Sequence, residues 1–155
     1  MDKKILYLKT LLCCSACDGE IAPEEVDLIR SLIAKNEIFD GIEAESAIND
    51  LISELNDDGL KFIKEYLDAI RKSELDKKEQ LLIIRLAIDM IEADNKIVYS
   101  EVKFFKRIRN NLTISDEDIL EAYPINDDYL LPDNMEPIDI MDWNYTFDKI
   151  ILKNV

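Results

Sequence analysis

A chain of 155 residues with 48% apolar content suits one folded domain and is no disordered acidic tail. Its net charge of −15 disfavours docking on nucleic-acid phosphates or anionic lipid, and favours cations, basic protein surfaces or plain solubility. Histidine is absent, which removes the commonest general base and transition-metal ligand, and with 3 Gly and 4 Pro the chain is poor in helix breakers.

Ile5, Leu8, Leu12, Cys13 and Ala16 keep the i, i+3, i+4 spacing of a first helix over about residues 3–17, with Asp2 as N-cap. Lys3 and Lys4 ahead of an apolar run, followed by Ser15-Ala16-Cys17, have the outline of a lipoprotein leader. Lys9 breaks that run, and Cys14 stands where the leader needs an aliphatic residue. No stretch approaches the roughly 18 apolar residues of a membrane span, so a cytoplasmic protein is expected. Cys13, Cys14 and Cys17 are badly placed to pair with one another on one helix, and three thiols without histidine make a poor zinc site. They read as small buried side chains in a reducing compartment.

Pro23 opens a second helix with the stripe Val26, Ile29, Leu32 and Ile33. A third runs near Ala44–Leu55 with Ile48, Leu51, Ile52 and Leu55 on one face. Asp57 or Asp58 caps a fourth, whose stripe reads Leu60, Ile63, Leu67 and Ile70. Asp76 and Glu79 predict a capping box at the start of a fifth. That helix is apolar nearly all round from Leu81 to Ile91, like the first, so these two are expected at the centre of the fold. Arg85 and Asp89, spaced i, i+4, read as a half-buried structural pair. A sixth helix covers about Ser100–Asn110, and Ser115 with Asp118 caps a short seventh ending near Tyr123. The fold class is all-α: a compact bundle of about seven helices over 1–123. Residues 124–155 form an irregular extension, broken by Pro124, Pro132 and Pro137, that packs on the domain. Its last dozen residues suit a helix or a strand equally, and Trp143, Tyr145 and Phe147 are its candidate partner-binding residues.

Two stretches match at an offset of 76. Asp18-Gly19-Glu20-Ile21 leads to Glu25-Val26, and Asp94-Asn95-Lys96-Ile97 leads to Glu101-Val102. Each follows a strongly apolar helix and precedes an amphipathic one, which points to an internally duplicated helical hairpin. Gly19 and Asn95 suit a left-handed helix end. Ile21 and Ile97 plug the space between the arms, and Glu25 and Glu101 fall at the third helical position, where a carboxylate reaches back to the N-cap amide. Asp18 and Asp94 stand at a helix C-terminus, where negative charge costs about 0.3–1 kcal/mol. Two explanations stay open: an Asx-turn, or a cation shared with the glutamate. A true EF-hand does not fit, because its first and third ligand positions would be Cys14 and Ala16 in one copy and Met90 and Glu92 in the other.

The duplicated D-x-x-I-x-x-x-E between paired helices resembles the TerB-like family, the tellurite-resistance TerB proteins and the N-terminal region of DjlA-type co-chaperones, over roughly residues 1–123. The first copy matches the pattern at Ile21, Pro23 and Glu25. The second departs from it at Asn95, where Gly is usual, and at Tyr99, where Pro is. The resemblance implies a bundle of about seven helices, a stress-response association, and a divalent cation at Asp18, Glu25, Asp94 and Glu101, with Glu20 and Glu24 as further oxygens. Calcium or magnesium suits such ligands better than zinc. An enzyme is not expected: there is no nucleophile elbow, Gly-rich phosphate loop or ligand triad. The expected role is an acidic, cation-binding scaffold module. The alternative is a metal-free protein-interaction domain, immunity or regulatory in type, that uses Trp143, Tyr145 and Phe147 on a protein partner.

Overall fold

The computed structural model describes residues 3–16, 21–93 and 99–123, apart from the side chains of Tyr99 and Ser100. These residues form seven α-helices: α1 Lys3–Ala16, α2 Pro23–Lys35, α3 Ala44–Asp57, α4 Gly59–Lys72, α5 Lys77–Ile91, α6 Tyr99–Asn110 and α7 Asp116–Ala122. No strand occurs among the described residues, which makes the domain an all-α bundle. The extension at 124–155, with Trp143, Tyr145 and Phe147, lies outside the described residues.

Two helices organise the rest. α1 buries an unbroken run from Leu6 to Ala16, and α5 buries Ile83, Ile84, Leu86, Ala87, Ile88, Met90 and Ile91. The most extensive helix–helix contact in the bundle is between these two. A helix apolar on every side has no solvent face, so the others must wrap it, and α3, α4 and α6 each also pack on α1.

Local chemistry sets the ends. Asp58 accepts the Lys61 N–H at 3.1 Å to open α4, and Ser115 accepts the Asp118 N–H at 3.1 Å to open α7. At α5 the box is complete: Asp76 accepts the Glu79 N–H at 2.8 Å, and Glu79 accepts the Asp76 N–H at 3.1 Å. After α2 a 3-10 turn, Glu37–Phe39, leads to Gly41 at φ 87, a left-handed position that suits glycine.

Two readings of the sequence need correction, and one element was not foreseen. The buried face of α4 is Gly59, Phe62, Ile63, Tyr66 and Ile70, whereas Leu60 and Leu67 are half-buried. The expected stripe sits one position off because Phe62 and Tyr66, not the leucines, fill the space against α1 and α6. Tyr66 is fully buried, donating to or accepting from Thr10 Oγ1 at 2.6 Å and stacking on Phe104 with ring centroids 6.5 Å apart. Arg85 and Asp89 do approach, at 3.8 Å, but Arg85 is largely in solvent, with 59% of its side chain exposed. Burial raises the Asp89 carboxyl above its ordinary range, against the opposing pull of Arg85. The 3-10 turn carries no signal in the apolar spacing, yet it seats the buried Phe39.

Gln80 is a tie that periodicity does not reveal. It is buried; its amide nitrogen donates to the Leu75 carbonyl at 2.9 Å, and its oxygen accepts the Thr113 and Ile114 N–H groups, each at 2.9 Å. One side chain thus fixes the α6–α7 connection to the start of α5.

Truncating the central pair tests this description. Ile84→Ala, at a fully buried position, should cost about 2–5 kcal/mol, while Leu120→Ala, at an exposed one, should change stability by less than about 0.5 kcal/mol. Urea unfolding of both variants measures this, and equal effects would refute the central placement of α5.

Candidate functional site

α1 and α5 are each followed by a bend and then by a helix, α2 or α6. The two following helices start at Pro23 and Tyr99, 76 residues apart, the offset of the sequence match. Glu25 is therefore the third residue of α2 and Glu101 the third of α6.

At α2 the expected local bond is present: Glu25 Oε1 accepts the Ala22 N–H at 2.9 Å. Alanine has no side-chain acceptor to return the bond, so the Glu25 N–H turns to the Ala22 carbonyl at 3.0 Å and only half of a capping box forms. Ile21 packs against the core as the plug expected in the bend.

Burial is what the sequence did not reveal. A first-turn glutamate usually stands in water, but Glu25 is 6% exposed and Glu101 is 5% exposed. Both lie in the interior, as does the end of α1. There the Cys14 thiol is completely buried, and burial first, then the Cys13 thiol and the Glu101 and Glu25 carboxylates, push it well above its usual range. A packed interior screens charge poorly, so the two carboxylates, one from each following helix, both act on this one sulfur. Cys14 and its 76-residue counterpart Met90 are both core residues of their helices. This converts the positions an EF-hand would use for ligands into packing.

A polar thread runs on from this point. Burial, followed by the Cys14 and Cys13 thiols, raises the Tyr66 hydroxyl well above its usual range, against the opposing hydrogen bond from Thr10. Thr10 in turn donates to the Leu6 carbonyl at 3.0 Å, and Ser15 donates to that of Leu11 at 3.0 Å.

Of the four candidate ligands, Glu25 and Glu101 are both buried and both act on Cys14, while Asp18 and Asp94 lie outside the described residues, as do Gly19, Glu20, Asn95 and Ile97. Glu24 is exposed in the first turn of α2. Among the described residues no three Cys, Asp or Glu side chains gather closely enough to enclose an ion, and no helix is long and apolar enough to cross a membrane.

The thiols give a direct test. In a Cys17→Ser background, Cys13 and Cys14, both buried, should ignore a thiol-reactive chromophore at neutral pH until urea unfolds the chain. Reaction of either at the rate of an exposed thiol in the native protein would contradict the packing at the end of α1.

The tellurite resistance protein TerB family model matches residues 7–123. Neither the curated proteins nor the solved structures include a match to this chain. The matched span begins inside α1 and ends one residue after α7, so it takes in the convergence of Glu25 and Glu101 and most of the described bundle. The chain belongs to the TerB family.

Proposed function

We propose that this chain is a non-catalytic TerB module that takes one divalent cation between its two acidic bends, in a stress-response or scaffold role. The α1–α2 and α5–α6 hairpins are read as two copies of one unit, each supplying an aspartate and a glutamate: Asp18 and Glu25, Asp94 and Glu101. The observation that carries this reading is the burial of Glu25 and Glu101 beside the same thiol. Two carboxylates on one bend bind a cation weakly, and four oxygen-bearing side chains from converging bends approach the six to eight oxygens calcium uses.

The donor chemistry fits that ion class. Carboxylates are hard donors and suit calcium or magnesium. The positive ends of α2 and α6 support the two carboxylates when no cation is present, with each helix N-terminus worth about 0.3–1 kcal/mol, so the domain folds in either state. Arg30 fixes the angle of α2 by reaching across to α3, its Nε meeting both Glu45 oxygens at 2.9 and 3.0 Å.

Melting temperature measured against calcium, magnesium, manganese and zinc tests the proposal. Calcium or magnesium at a hundredfold excess over Kd should add about 2.7 kcal/mol of stability, and Asp18→Asn with Asp94→Asn should abolish the rise. If no ion moves the transition at millimolar concentration, the metal-free interaction domain takes its place.

A further inference from the structure

On the side of α1 facing α3 lies a groove of about 440 Å³, lined by Ile5, Lys9, Ala47, Asp50, Leu51, Ser53 and Glu54. Its volume falls in the range of small-ligand sites. Lys9 is the unusual member. It stands within the buried run of α1, with the residue only 9% exposed. Its Nζ lies 4.9 Å from the centre of the Phe62 ring, and among the described residues no carboxylate or carbonyl pairs with it. The buried stem carries an ammonium that is not sealed from solvent and that has only a ring face beside it.

The opposite wall is acidic. Asp50 and Glu54 are one turn apart on α3, both exposed, with Ser53 between them. Ile5, Ala47 and Leu51 give the floor an apolar stretch between the two charges. A simple anion would satisfy Lys9 but meet two carboxylates, and a simple cation would satisfy the carboxylates but leave Lys9 as it is. We propose that this groove binds a small zwitterion, its carboxylate on Lys9 and its ammonium on Asp50 and Glu54, with a short aliphatic segment over Ile5 and Leu51. The chemical class is the free amino acids and related amino carboxylates. The site is separate from the acidic bends and needs no metal.

Backbone amide shifts of Ile5, Ala47 and Ser53, followed by NMR, test this with the linear amino carboxylates from glycine to aminohexanoate, and with hexanoate and hexylamine as single-charge controls. One amino carboxylate should bind saturably in the millimolar range and up to about fivefold tighter than either control, the worth of one solvent-exposed ion pair. Lys9→Met, which keeps an unbranched stem over Phe62, should reduce the amino carboxylate to the level of hexylamine. Asp50→Asn with Glu54→Gln, on the exposed wall where folding is not at risk, should reduce the amino carboxylate to the level of hexanoate. The proposal is overturned if no member of the series saturates, if hexanoate binds as well as the best zwitterion, or if either variant binds like wild type.

Discussion

Everything in this molecule follows from burying α1 against α5. Both are largely apolar, so neither is stable alone, and together they exclude water along most of their length. α3, α4 and α6 take their places by covering what this pair leaves open. The polar groups that share the interior are bound locally: Thr10 and Ser15 return hydrogen bonds to their own helix, and Tyr66 joins Thr10, so few polar atoms are withdrawn from water unsatisfied.

That arrangement also decides where the acidic bends go. A helix that ends in the core must turn at the core's edge, and the next helix then starts there, its first turn aimed back at the end of the helix it left. With two central helices packed together, both first turns reach into the same core. Glu25 already has reason to lie at its position, because it satisfies the Ala22 amide and meets the positive end of α2. Capping and convergence are therefore one geometry. A carboxylate recruited for helix stability is carried to a buried place, where its charge also acts on Cys14.

Features that depend on spacing along the chain were legible in advance. The capping boxes, the proline start of α2 and the apolar runs of α1 and α5 placed the seven helices almost to the residue. What escaped was lateral: which of several apolar residues on α4 faces inward, and how far a first-turn glutamate is drawn into the core. Phe62 and Tyr66 displaced Leu60 and Leu67 because a ring fills the gap toward Lys9 and Phe104, and a leucine does not. The amphipathic pattern could not separate the two faces, since both carry apolar residues. Gln80 escaped for a related reason: its three bonded partners, Leu75, Thr113 and Ile114, include two from a loop more than thirty residues away. The candidate ligands were found by their repetition, and the burial of Glu25 and Glu101 needed the third dimension.

The two sites argued for here use the same helix without sharing a surface. Lys9 and Cys14 are five residues apart on α1, which on an α-helix is about 140° of rotation and about 7.5 Å along the axis. Lys9 looks toward α3 and the ring of Phe62, while Cys14 meets the first turns of α2 and α6. Effects at sites this far apart, with no shared partner, are usually close to additive. The overall negative charge of the chain favours a cation at the bends but says nothing of the groove, where the Lys9 ammonium sets the local field. A strongly acidic protein can therefore carry one site selected by its net charge and another selected against it. The second is visible only because Lys9 lies where a solvated charge would not be expected.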